Sequence, residues 1–229
     1  MPPEKTGSIM NRKKTFGPFE AVFDLVYLAT VMCLGGYLLL TAGNTPGRIL
    51  YGVMALTLAV GDAFHLVPRV LTVYRGETET LGRRLGRGKM YTSIGMTLFY
   101  LMLWHVGLLA FAPTEMEIPT VIVYFLASMR VTLCLLPRNR WAQDDAPASW
   151  NTMRNLPFFL LGAMVGVLFF LRRDAGAAFH WMWLAVLLSF GFYIPVVLWS
   201  KKVPALGMLM VPKTCAYVWI VAMGLQAFR

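Results

Sequence analysis

Seven stretches of the chain each approach the ~20 consecutive apolar residues needed to cross the hydrocarbon of a bilayer, and no other feature limits the possible folds so strongly. Inside lipid every backbone N–H and C=O must find an internal partner, so apolar stretches of this length are helices. They run from Phe19 to about Ala42, Ile49 to Tyr74, Tyr91 to about Ala112, Ile118 to about Leu136, Leu156 to about Leu171, Phe179 to Trp199 and Leu206 to Phe228. The fold class expected is all-α, a polytopic integral membrane protein forming a single seven-helix transmembrane bundle over residues 19–229. A basic cytosolic segment, 1–18, precedes it, and Gly17-Pro18 is expected to open the first span. With 58% hydrophobic and only 14% charged residues, the chain lacks the charge of a soluble domain of its size.

The net charge of +10 does not point to nucleic acid, because 14 of the 21 Lys and Arg fall in the N-terminal segment and in every second connection between spans. That distribution is the positive-inside pattern, and it orients the bundle with the N-terminus inside and the C-terminus outside as a multi-pass protein of the cell membrane. Membrane lipids are the partners this implies. The segment 75–89, with five positive charges and four glycines, reads as a solvated cytosolic loop. Cys33, Cys134 and Cys215 are single and mid-span, and read as small apolar fillers.

Against this apolar background the second span is unusual. Asp62, His65 and Arg69 stand at i, i+3 and i+7 and share one helix face. Pro68 lacks an N–H, which frees the carbonyl of Phe64 beside them. Counting ~1.5 Å per residue from the cytosolic ends places Glu20 and Asp24 of span one, Arg130 of span four and Lys213 of span seven in the same half of the bilayer. Ionisable groups at such depth are costly unless paired or wetted, so they mark a site by default. Three acids and three bases at similar depth are expected to pair, with Asp24 or Asp62 reaching Arg130 or Lys213. Tyr27, Tyr100, Tyr193 and Tyr217 join them as the lining of a cavity open to the cytosol. The fifth span carries no ionisable residue and reads as scaffold or lipid-facing surface.

Three histidines scattered over two depths and the outer surface cannot share a ~2 Å coordination shell, so no metal is expected. No cofactor motif is present, GxSxG is absent, and the third span offers no carboxylate counter-ion for a Schiff base on Lys213.

The Gly61-Asp62 pair late in the second span and the P-K-T-x-x-Y run of Pro212, Lys213, Thr214 and Tyr217 resemble the YhhN lysoplasmalogenase-like membrane family over about a quarter of the chain. The chain departs from that family at Ser189, followed by Phe190 where the family has a late Ser-Asp pair, and by one fewer visible helix. The resemblance implies a hydrolase that cleaves the vinyl-ether bond of lysoplasmalogens, with Asp62 as a catalytic carboxylate.

The reading that follows is an integral membrane enzyme acting on a lipid or amphiphile from the cytosolic leaflet. Asp62 serves as general acid or base, His65 as its proton partner and Asp24 as a further catalytic carboxylate. Arg69, Arg130 and Lys213 hold an anionic headgroup, with Glu20 and the four tyrosines shaping the site. A small proton-coupled transporter or sensor using the same charges is the alternative, and a structural bundle tied by ion pairs is a third.

Overall fold

The computed structural model describes residues 5–76, 78–141, 148–200 and 202–228 and is all-helical, with no strand among them. Positions 1–4 of the expected basic segment lie outside the described residues. Seven long helices follow one another: α1 (Lys5–Leu40), α2 (Pro46–Arg75), α3 (Glu79–Phe111), α4 (Glu117–Leu135), α5 (Ala148–Leu171), α6 (Met182–Trp199) and α7 (Met210–Met223). Each contains, or with an adjoining 3₁₀ turn forms, a helical segment long and apolar enough to cross a membrane. Successive helices are antiparallel neighbours, α7 closes the ring against α1, and α3 also reaches across to α5. The ends at which α2, α4 and α6 finish form one basic end of the bundle, carrying Arg75, Arg84, Arg87, Arg138 and Lys202.

Several boundaries differ from the sequence expectation for local reasons. α1 begins at Lys5 and runs through Pro18, whose missing N–H interrupts one hydrogen bond without ending the helix. The segment expected as a loop over 75–89 is mostly the first three turns of α3. The Thr78 hydroxyl caps that helix by accepting from the Leu81 N–H at 3.3 Å, and Arg83 Nη2 binds Glu79 Oε1 at 2.5 Å, one turn apart. α5 starts eight residues before the expected Leu156, so Asn151, Arg154 and Asn155 belong to a helix and not to a polar loop. The same helix buries Phe158, Leu161, Val165, Leu168 and Phe169 in the core and exposes Leu156, Leu160, Val167 and Leu171 on its outer face.

α2 and α3 make the most extensive contact in the bundle, and glycine makes it possible. A Cβ on Gly88 would stand 2.1 Å from the Phe64 carbonyl oxygen, and Gly61 and Gly95 face each other so closely that a Cβ on either would lie 3.1–3.3 Å from the other's Cα. Thr92 Oγ1 donates to the Gly61 carbonyl at 2.8 Å across the same seam. The Phe64 carbonyl, released by Pro68, is thus covered by the backbone of α3.

Candidate functional site

At the basic end the helices diverge around a cavity of about 210 Å³. α2 supplies His65, α3 supplies Lys89, Thr92 and Ser93, and α4 supplies Arg130. Arg154 and Phe158 come from α5, Tyr193 from α6 and Lys213 from α7, with Trp141 between α4 and α5. Four cationic side chains converge on this space, and no carboxylate lines it among the described residues.

Arg130 is 1% exposed. Its Nη1 donates to Asn155 Oδ1 at 2.8 Å and to the Arg154 carbonyl, and its guanidinium lies 4.4 Å from the centre of the Phe158 ring. Its Nε has no hydrogen-bond partner among the described residues, and neither has Nδ1 of His65. Tyr193 also donates to Asn155 Oδ1, at 3.2 Å, so a single buried amide oxygen organises side chains from α4 and α6. Asn155 is itself anchored one turn back, its Nδ2 donating to the Asn151 carbonyl at 2.8 Å.

Arg154 is held on two sides. Its Nη1 donates to Asn139 Oδ1 at 3.1 Å and its Nη2 to Asn151 Oδ1 at 2.6 Å, while the guanidinium stacks 4.0 Å from the Trp141 ring centre. Lys213 is buried, and its ammonium sits between the rings of Tyr193 and Tyr217, 4.6 and 4.8 Å from their centres. Aromatic faces stabilise these cations without neutralising them, so their positive charge remains directed into the cavity.

The expected pairing of acids with Arg130 or Lys213 is not what the structure contains. No carboxylate lies within 4.0 Å of either cation among the described residues. Glu20 and Asp24 instead share Arg69, which binds Glu20 directly and approaches Asp24 Oδ2 at 3.5 Å. Arg69 is therefore committed to α1 and does not line the cavity. Asp62 Oδ2 accepts a 2.7 Å hydrogen bond from the Tyr27 hydroxyl, also on α1. Asp62 lies outside the lining, and Lys213, which is in it, is the cation whose field reaches Asp62.

Of the residues singled out from sequence, His65, Arg130, Tyr193 and Lys213 meet at the cavity. Glu20, Asp24 and Arg69 form one cluster, and Tyr27 and Asp62 a second, both at the α1–α2 interface. Tyr100 is in the core, 2.7 Å from Ser189 Oγ, and since Ser189 donates to the Val186 carbonyl, Tyr100 is the donor to it. Tyr217 contributes its ring beneath Lys213.

The sequence does not single out Lys89, Trp141, Arg154 or Asn155. Asn151 and Asn155 at i, i+4 with Arg154 beside them are the signal of a polar helix face, but Pro157 suggests that a helix begins there and not earlier.

No family model, curated protein or solved structure matches the chain.

Proposed function

We propose that the chain is a multi-pass membrane protein, inserted with its basic end towards the cytosol, whose cavity receives the anionic headgroup of a membrane amphiphile. The observation that carries this reading is the convergence of Lys89, Arg130, Arg154 and Lys213 on one small space with no lining carboxylate among the described residues. Arg130 and Lys213 are buried with no carboxylate in contact among the described residues, which is costly, and a bound anion offsets that cost. A space of about 210 Å³ is smaller than a drug-sized ligand pocket, so it suits a headgroup whose apolar tail extends elsewhere.

The chemistry is an acid-catalysed hydrolysis of the kind the YhhN-like resemblance implies. Cleavage of a vinyl ether starts with a proton transferred to its β-carbon. Water then adds to the resulting oxocarbenium ion and releases a proton, and the hemiacetal breaks its C–O bond to give a fatty aldehyde and the glycerol hydroxyl. Asp62, oriented by Tyr27 and one turn from the cavity-lining His65, supplies the proton to the vinyl ether of a chain that leaves the headgroup space along α2, and His65 returns it. Asp24 is placed with Arg69 and Glu20, which supports an interhelical tie between α1 and α2 in preference to a catalytic role for this cluster.

The test supplies a lysoplasmalogen to the purified protein in detergent and follows fatty aldehyde release together with lysolipid binding. Wild type should bind and turn over the lipid. Asp62→Asn should bind it with little change and release no aldehyde, since the amide still accepts from Tyr27 but has no acidic proton to give. Lys213→Met should instead weaken binding about tenfold or more, as loss of a charge-assisted contact does. Wild-type binding without aldehyde release rejects the hydrolase reading, and absence of binding to any anionic lysolipid rejects the headgroup reading.

A further inference from the structure

A second concavity lies on the outward side of the bundle, where α1, α2 and α3 meet. Its part nearer the basic end, about 580 Å³, is walled by Val60, Phe64 and Val67 of α2 and Tyr91 of α3, with Arg84 and Arg87 also lining it. Beyond the Phe64 and Tyr91 rings, which touch with centres 5.0 Å apart and line both spaces, lies an adjoining apolar hollow of about 410 Å³ bounded by Val53 and Leu98.

The three arginines of this turn of α3 are not equivalent. Arg83 is paired with Glu79, whereas Arg84 and Arg87 have no carboxylate within 4.0 Å among the described residues and line the groove. α3 has 33 residues and spans ~50 Å, well beyond the ~30 Å hydrocarbon thickness, so its first turns stand at headgroup level when its apolar part is in the membrane. From Pro68 to Val53 the two adjoining hollows together follow α2 for ~22 Å, longer than the ~15 Å depth of one leaflet, so a chain lying along them passes over the Phe64 and Tyr91 rings.

We infer that this groove holds one acyl chain of an anionic glycerophospholipid whose phosphate lies between Arg84 and Arg87. The inference rests on membrane insertion and is independent of the chemistry of the interior cavity. A second copy of the chain is the less suitable occupant. A two-fold interface brings the same patch together twice and would set Arg84 and Arg87 against their own counterparts at one depth.

The experiment reconstitutes the full chain in equimolar phosphatidylcholine and phosphatidylglycerol, releases it for native mass spectrometry, and counts retained lipids by headgroup. Wild type should keep one phosphatidylglycerol in preference to phosphatidylcholine. Arg84→Gln/Arg87→Gln should lose that preference by roughly ten- to thirty-fold, as removal of two interfacial charges predicts, and Arg83→Gln should not. Ala63→Phe, which fills the groove and leaves the arginines in place, should also reduce the retained lipid. An unchanged preference in the double variant overturns the proposal. So does full retention in Ala63→Phe, which would mean that the arginines gather anionic lipid without the groove, or a dimer of the chain with no retained lipid. Thermal unfolding in detergent, expected to match wild type for the exposed arginine variants, excludes misfolding as the cause of a loss.

Discussion

Two arginines that look alike in the sequence, Arg69 and Arg130, do different work. Arg69 joins Glu20 and Asp24, so replacing it with Met leaves two carboxylates side by side without their counter-charge. Because Arg69 is about one-third exposed, solvent screens part of the penalty. A destabilisation of roughly 1–3 kcal/mol is expected for Arg69→Met, read as thermal unfolding in detergent, and a further Asp24→Asn change should restore part of it. Arg130 is buried, serves two acceptors through Nη1 and lays its planar guanidinium on the Phe158 ring. Lysine keeps the charge but not that geometry, so Arg130→Lys should weaken anion binding and cost about 1–3 kcal/mol of stability, the penalty of an acceptor left unpaired. An Arg130→Lys protein as stable as wild type, with unchanged affinity, would show that the planar guanidinium on Phe158 matters for neither. The sequence alone identifies both residues as intraspan cations. It does not say that Glu20, 49 residues away in the chain, captures Arg69, because pairing depends on which helix faces which.

Among the helices, the α2–α3 seam is the most extensive contact, and the close approach of the two backbones makes it sensitive to small changes in volume. Gly88→Ala places a methyl group against the Phe64 carbonyl, where backbone and not a flexible side chain must move. Overpacking of this kind costs ~1–3 kcal/mol or more. Gly82, on the same helix, has open space where a methyl group would stand, with nothing within 4 Å, so Gly82→Ala should raise stability by ~0.5–1 kcal/mol through helix propensity. Opposite shifts in melting temperature for the two variants, measured in one detergent, check the claim, and equal shifts would refute it. The helices themselves were legible from apolar length, since lipid leaves the backbone few alternatives. Their starts were less so. Glycines at 82, 86 and 88 imitate a loop, yet Thr78 and the Glu79–Arg83 pair start α3 well before its apolar part. Pro157 imitates a helix start, yet α5 passes through it and carries Arg154 and Asn155 into the site.

The two ends of the bundle differ in charge, and the orientation proposed from that difference can be read by labelling. In a protein whose exposed Cys33 and Cys215 are replaced by Ala, a cysteine at the exposed Thr80 should react with an impermeant maleimide only after the cell membrane is opened. A cysteine at the exposed Thr114, at the other end, should react in intact cells. The reverse pattern would invert the bundle and put the basic cavity on the outside. Charge is also divided between two places: the carboxylates of Glu20, Asp24 and Asp62 lie at the α1–α2 interface, while Lys89, Arg130, Arg154 and Lys213 gather around the cavity. Such a partition makes the bundle's resistance to heat a function of the anions dissolved around it. An anion that binds only the folded protein raises unfolding free energy by about 2.7 kcal/mol at ~100 times its Kd, so exchange into a buffer of bulky, weakly coordinating anions should lower the melting temperature even when ionic strength is held constant. The choice of purification salt would then decide how long the protein survives outside the membrane.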